Sequence, residues 1–186
     1  MRVFLAGATG VIGIRLLPLL LDAGHVVAGM TRSQPEVVAK LGGEPVVCDV
    51  YDLERLRRVV GEFEPDLVLH QLTDLPDRRE ELEASLERNA RIRGEGTRNL
   101  LDAAAGARMV AQSIAFPPGA PEHERLVLDA GGVVLRYGVF YGPGTYSEDA
   151  VPPPPRIHVD EAARRTLDSL EAPPGTVLEI VEEGGA

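Results

Sequence analysis

A glycine-rich turn near the start of the chain, Gly7-Ala8-Thr9-Gly10-Val11-Ile12-Gly13, limits the possible folds more than any other feature. It follows a short apolar run, residues 3–6, and leads into an apolar segment of helical periodicity that extends from Val11 to about Ala23. Between a strand and a helix, such a turn offers free backbone amides and the positive end of the helix dipole to a phosphate. The alternative is a packing turn that binds no ligand.

The three glycines fit three separate requirements of a pyrophosphate site. Gly7 suits the sharp turn, Gly10 lets the backbone approach the phosphates, and Gly13 lets the helix pack on the strand. The sequence therefore predicts a phosphate-binding site made of residues 7–13.

Strand and helix patterns alternate along the whole chain, which favours an α/β fold with a doubly wound parallel sheet, the three-layer Rossmann fold. The interpretation is one domain, residues 1–186. The long stretch from Asp77 to about Ala105 has helical periodicity. Its predicted inward face comprises Leu82, Leu86, Asn89, Ile92, Gly96 and Leu100. Further strands are predicted at 25–30, 45–48, 66–72, 108–113, 133–137 and 176–181, and further helices at 35–41, 52–63, 122–130 and 159–170.

Composition excludes several classes of function. With 19 Lys and Arg against 29 Asp and Glu, the net charge of −10 disfavours binding to nucleic acid or to an anionic membrane. The single cysteine, Cys48, excludes an internal disulfide and favours a reducing compartment, the cytoplasm. No apolar run reaches the length of a membrane helix, and the four histidines lack metal-ligand spacing. His70 is interpreted as a buried strand residue and His123 as a solvated helix position.

The spacing Gly-x-x-Gly-x-x-Gly, the segments 135–144 (LRYGVFYGPG) and 157–163 (IHVDEAA), and Asn89 followed by 96–101 (GTRNLL) carry a resemblance to a known family. The chain resembles an extended short-chain dehydrogenase/reductase, the family of NAD(P)-dependent sugar-nucleotide epimerases, dehydratases and related reductases. The resemblance implies a dinucleotide cofactor, hydride transfer on a small carbonyl or hydroxyl compound, and possible homodimers formed through helices on one sheet face.

The end of the second strand bears on the choice of cofactor. NAD sites usually place an acid there, but this chain has Thr31, Arg32 and Ser33, which are donors suited to a 2′-phosphate. The expected cofactor is NADP, with NAD the alternative. Arg32 could instead be an ordinary surface arginine.

Other cofactor contacts follow from the resemblance. It implies that Asp49 and Val50 contact the adenine and that residues 71–73 (Gln71, Leu72 and Thr73) pass the ribose and nicotinamide. It also places Asn89 and Tyr137 beside the cofactor. The alternative to the adenine contact is an N-cap role for Asp49 or Asp52. The alternative for residues 71–73 is an ordinary strand end.

The family's catalytic pair, a tyrosine with a lysine four residues later, is absent. Lys40 is the only lysine, and no tyrosine precedes it at that spacing. Ser113 matches the family's hydroxyl that binds the substrate carbonyl, although a buried serine bonded to the backbone is an equal alternative. For the proton donor, Tyr141 or a water is a weak candidate, and His123 and Glu124 are weaker.

Two stretches, 116–121 and 146–156, are short relative to the family, so the substrate-binding region at about 114–158 is expected to be reduced. Either the protein is a compact member or segments are missing from this sequence. The leading hypothesis is an NADP-dependent oxidoreductase or epimerase-like protein. The alternatives are a non-catalytic NAD(P)-binding redox sensor and a nucleotide-independent scaffold.

Overall fold

The computed structural model describes residues 1–76, 78–104 and 106–182. Its central feature is one sheet of seven parallel strands. The strands are β1 (Arg2–Ala6), β2 (Val26–Thr31), β3 (Glu44–Val47), β4 (Leu67–His70), β5 (Arg108–Ile114), β6 (Val133–Tyr137) and β9 (Val177–Ile180). Their order in the sheet is β3-β2-β1-β4-β5-β6-β9, which confirms the predicted doubly wound α/β fold.

Helices cover both faces of this sheet, because the strands are apolar on both sides. The helices are α1 (Gly13–Asp22), α2 (Pro35–Lys40), α3 (Leu53–Phe63), α4 (Leu82–Arg91), α5 (Thr97–Ala103), α6 (Pro121–Asp129) and α7 (Val159–Asp168). One core cluster joins the strands to α1, α2 and α7, and a second joins them to α3, α5 and α6. The three predicted layers are therefore present.

The strand order reverses at β1, which pairs with β2 on one side and with β4 on the other. Ala6, the last residue of β1, lies in register with Met30 and His70. A crevice opens where connections leave the carboxyl ends of β1 and β4 in opposite directions, and this is the usual ligand position in such sheets. The glycine-rich turn lies at this point.

The long helical stretch is interrupted rather than continuous. A 3₁₀ turn, Arg79–Glu81, precedes α4, and a π-helical segment, Ile92–Gly96, separates α4 from α5. The predicted ends, Asp77 and Ala105, lie outside the described residues.

The predicted inward face of α4 is wrong at Leu86, whose surface is 64% exposed. Ser85 is fully buried instead, and its Oγ donates to the carbonyl of Leu82 at 2.7 Å. Asn89 is buried, as predicted, because its side chain has a backbone partner. The periodicity of apolar residues gave the wrong face because the buried positions are occupied by polar residues that have hydrogen-bond partners.

A second, two-stranded parallel sheet was not predicted. It pairs β7 (Val139–Tyr141) with β8 (Arg156–His158), directly before α7. His158 caps α7 by accepting a hydrogen bond from the amide of Asp160 at 3.3 Å. Among the described residues, no helix has the length and apolar character needed to cross a membrane.

Candidate functional site

The three glycines of the turn differ in what the fold requires of them. Gly7 has φ +93°, and a β-carbon there would lie 2.8 Å from the carbonyl oxygen of Gln71. On Gly13 a β-carbon would lie 2.1 Å from the carbonyl oxygen of Gly7. Gly10 is exposed, and a β-carbon there would lie 3.4 Å from its nearest neighbour, the carbonyl oxygen of Gly7. The fold thus requires Gly7 and Gly13, whereas Gly10 has open space that a ligand could use.

Several amides of the turn have no protein partner. The amides of Gly7 and Ala8 donate to the carbonyl of Met30, at 3.3 and 3.1 Å. In the described part of the chain, the amides of Thr9, Val11 and Ile12 donate to no acceptor. They lie immediately before α1, whose dipole adds positive potential. This arrangement fits a pyrophosphate.

The end of β2 is connected to the turn through hydroxyl groups. Thr31 Oγ1 lies 3.1 Å from Thr9 Oγ1 and accepts a hydrogen bond from the amide of Gln34 at 3.3 Å. Ser33 is exposed beside it. The Arg32 side chain is 58% exposed. The predicted residues 31–33 therefore lie at the edge of the crevice.

Asp74 and Arg88 also lie at this edge, and sequence reasoning missed both. Asp74 Oδ1 is 3.7 Å from Arg32 Nη2, and Asp74 Oδ2 is 3.9 Å from Arg88 Nε. Asn89, predicted to contact the cofactor, accepts the amide hydrogen of Asp74 through Oδ1 at 3.1 Å. No local signal pointed to these residues, because they come from separate segments that only the sheet topology brings together.

The residues after β3 have internal roles. Asp49 Oδ1 accepts from the amide of Tyr51 at 2.9 Å, whereas Asp52 is the N-cap of α3 and accepts from the amide of Arg55. Of the two capping alternatives, Asp52 is therefore correct. Val50 is buried, and its carbonyl accepts from Asn99.

Residues 71–73 follow β4, which ends at His70, rather than forming its last part. The buried Gln71 donates from Nε2 to the hydroxyl of Tyr137 at 3.3 Å, and its Oε1 has no partner among the described residues. Thr166 donates to the carbonyl of Ala162, so the hydroxyl proton of Tyr137 points to Thr166 Oγ1, 2.6 Å away. Burial raises the pKa of Tyr137. Its proton is directed towards α7 and is not presented to the crevice.

His70 and His123 form a buried network with Thr97. Thr97 Oγ1 lies 3.0 Å from His70 Nε2 and 2.9 Å from His123 Nδ1. His123 Nε2 donates to the carbonyl of Gln112 at 2.8 Å. The expectation of a solvated His123 is wrong, because the inward face of α6 places it at 2% exposure. Burial lowers the pKa of both histidines, that of His70 to about 3, so both are neutral.

Ser113 is fully buried and donates to a side chain, not to the backbone as the structural alternative expected. Its Oγ lies 2.7 Å from Glu124 Oε1. Arg136 donates to both oxygens of Glu124, at 2.9 and 2.6 Å. These hydrogen bonds, first from Arg136 and then from Ser113, lower the pKa of Glu124 and keep it anionic. Glu124 is therefore not a proton donor at neutral pH.

A pocket of about 390 Å³ opens beside this group at the carboxyl ends of β5 and β6. Apolar residues of the shortened stretch 116–121 form one side, and charged groups form the other. Its lining includes Phe116, Pro117, Pro118, Glu124, Arg136 and Glu179.

Tyr141 lies in β7, apart from the central strands. Its hydroxyl donates to Glu182, and its ring packs edge-on against His158 with centroids 5.2 Å apart. The hydrogen bond to Glu182 raises the pKa of Tyr141. The structure does not bring Tyr141 together with Ser113 through any contact of the described residues.

Comparison with known proteins identifies the family. The sequence profile of the NAD dependent epimerase/dehydratase family matches residues 3–126. The chain belongs to this family. One relative is a Streptomyces 3-diazoavenalumate denitrifying reductase. It is 35% identical to this chain over 234 aligned residues, which cover 98% of this chain and 76% of the relative. A shorter match, 42% identical over 73 residues, is an uncharacterised Schizosaccharomyces pombe protein, with 38% of this chain and 24% of that protein covered.

Solved structures show the same fold. The UDP-glucose 4-epimerase of Thermus thermophilus in complex with NAD has a TM-score of 0.78 at 20% identity, over 99% of this chain and 78% of that one. WbmH of Bordetella bronchiseptica in complex with NAD⁺ has a TM-score of 0.76 at 17% identity, over 98% and 76%. The region aligned with the Streptomyces reductase, 234 residues, is longer than this epimerase/dehydratase chain of 186, so that reductase contains internal segments absent here.

Proposed function

We propose that this epimerase/dehydratase family member binds a nicotinamide dinucleotide, NADP in preference to NAD, and reduces a small molecule with it. The free amides of Thr9, Val11 and Ile12 beside the open space at Gly10 carry this proposal. The complexes of Thermus UDP-glucose 4-epimerase and of WbmH with NAD support it.

The proposed cofactor contacts run along the carboxyl edge of the sheet. Residues 7–13 would hold the pyrophosphate, and residues 31–33 the 2′-phosphate. Asp49 and Val50 would border the adenine, with residues 71–73, Asn89 and Tyr137 towards the ribose and nicotinamide.

When bound, the reduced nicotinamide supplies a hydride. The hydroxyl groups of Ser113, Tyr137 and Tyr141 each direct their proton to another side chain and not to the crevice. Ser113 donates to Glu124, Tyr137 to Thr166 and Tyr141 to Glu182. This arrangement favours a substrate that accepts a hydride without a proton from the protein.

A diazonium compound is such a substrate. The hydride electron pair forms the new carbon–hydrogen bond, and the carbon–nitrogen pair leaves with N₂, so charge balances without a proton. The name of the Streptomyces relative, a denitrifying reductase of a diazo compound, supports this class. For a carbonyl substrate, Ser113 would hold the oxygen only if its hydroxyl donated to the substrate instead of to Glu124.

The second candidate is a non-catalytic dinucleotide sensor, which the absence of the Tyr/Lys pair favours. The two candidates differ in turnover. Titration calorimetry with NADP⁺ and NAD⁺ tests binding, and loss of NADPH absorbance with aryl diazonium salts and a carbonyl panel tests reduction. Binding without NADPH oxidation would support the sensor, and no binding of either coenzyme would contradict both candidates.

A single domain with a reduced substrate region, a cytoplasmic location and homodimer formation stay predictions. Light scattering on the purified chain measures the oligomeric state.

A further inference from the structure

A carboxylate lies between two arginines at the edge of the crevice. Asp74, 19% exposed, is 3.7 Å from the guanidinium of Arg32 and 3.9 Å from that of Arg88. Arg32 directly follows β2 and Arg88 lies in α4, so the two cations approach Asp74 from separate elements.

Both arginines keep their hydrogen-bonding capacity. Neither Arg32 nor Arg88 makes a hydrogen bond within residues 1–76, 78–104 and 106–182, and both contacts to Asp74 are longer than a hydrogen bond. Arg57 shows the contrast, since it donates to both oxygens of Asp102 at 2.5 and 2.9 Å. The guanidinium groups of Arg32 and Arg88 are therefore available to a better acceptor than Asp74.

There is also space for a ligand. Asp74 and Arg88 line a pocket of about 600 Å³ together with Arg78 and Glu81. Arg32 is not among the described lining residues and adjoins the pocket through Asp74. The hydrogen bond from the Asp74 amide to Asn89 holds the backbone at this point.

We propose that Arg88 is a second specificity-determining residue for NADP, and that it holds the 2′-phosphate jointly with Arg32. The inference rests on the proposed dinucleotide binding. Asp74 marks the position between the two guanidinium groups that an anion occupies. A phosphate group with up to two negative charges and three acceptor oxygens is a stronger partner for two guanidinium groups than one carboxylate. NAD, which has only a ribose hydroxyl there, gains nothing from Arg88.

Titration calorimetry on the full chain tests the proposal with NADP⁺ and NAD⁺ as probes. The variants are Arg88→Gln, Arg32→Gln and Asp74→Asn. The matched control is Arg125→Gln on α6, which removes another exposed arginine with a single 3.9 Å contact to Asp129. Circular dichroism checks that each variant is folded.

We expect Arg88→Gln and Arg32→Gln each to weaken NADP⁺ binding about tenfold and to leave NAD⁺ binding within about twofold. Asp74→Asn should strengthen NADP⁺ binding, because it removes the competing carboxylate. Arg125→Gln should change neither affinity.

An unchanged NADP⁺/NAD⁺ preference in Arg88→Gln, with wild-type binding intact, would overturn this inference alone. Weaker NAD⁺ binding in Asp74→Asn with no effect of Arg88→Gln would also overturn it, since Asp74 would then contact the ribose directly. If the wild type binds neither coenzyme, the proposed function fails and the role of Arg88 fails with it.

Discussion

The carbonyl oxygen of Gly7 lies 2.1 Å from the position that a β-carbon on Gly13 would take. The helix can pack this closely on the turn only because residue 13 has no side chain. A β-carbon on Gly10, three residues earlier, would lie 3.4 Å from the same oxygen, which is an ordinary van der Waals distance.

These two glycines should therefore respond differently to the same substitution. Gly13→Ala should destabilise the fold by at least about 3 kcal/mol, because backbone atoms must move. The melting temperature should then fall by at least about 6 °C in a chain of this length. Gly10→Ala should change it by less than about 2 °C yet weaken coenzyme binding at least about tenfold. Equal effects of both variants on melting would contradict the assignment of Gly10 to the ligand.

Tyr137→Phe should destabilise the chain by about 1–3 kcal/mol, because it leaves the buried Gln71 amide without its acceptor. Urea unfolding measures the change. Tyr141→Phe is the matched control. Its hydroxyl bonds to Glu182 near the surface and should contribute under about 1 kcal/mol. If the free energy of unfolding falls less in Tyr137→Phe than in this control, the Gln71–Tyr137–Thr166 hydrogen-bond chain adds no stability.

The buried His70 should make stability depend on pH. Its pKa is about 3 in the folded chain, against 6.5 without burial, so the unfolded chain binds the extra proton between these values. Stability should fall as pH decreases below 6.5 and continue to fall towards 3. His70→Gln should reduce the slope of the free energy of unfolding against pH, as urea unfolding measures it, between about pH 6.5 and pH 5. This interval lies above the range in which most carboxylates titrate. His25→Gln, at a partly exposed position, should leave most of that slope unchanged.

Ser113→Ala separates the two substrate classes. Turnover of any carbonyl substrate should fall at least about tenfold, because the hydroxyl that would hold its oxygen is lost. Turnover of an aryl diazonium salt should stay within about twofold. Steady-state assays that separate kcat from KM make the comparison. Thermal unfolding of the variant shows whether loss of the hydrogen bond to Glu124 has destabilised the fold. Unchanged carbonyl turnover would show that Ser113 does not bind substrate.

Local patterns predicted most of the fold. The glycine spacing located the turn before α1, and alternating apolar runs located all seven strands of the large sheet. Leu86 and His123 were misplaced because helix periodicity leaves the inward face ambiguous by one residue when polar side chains have buried partners. The short strands β7 and β8 carried no distinct signal.

The candidate site was only partly predictable for a related reason. Arg32 could be inferred from its place after β2, since the cofactor position is fixed relative to that strand. Asp74 and Arg88 could not be inferred, because their approach to Arg32 depends on how α4 begins after β4. Their positions next to Arg32 arise from the tertiary structure and not from any local sequence pattern.

The inward direction of the tyrosine and serine protons has a kinetic consequence. With a diazonium substrate no proton moves, from the protein or from water, in the step that transfers hydride, so heavy water should hardly slow the reaction. Coenzyme deuterated at the transferred position should slow it directly, so the two isotope effects would differ in size on the same enzyme.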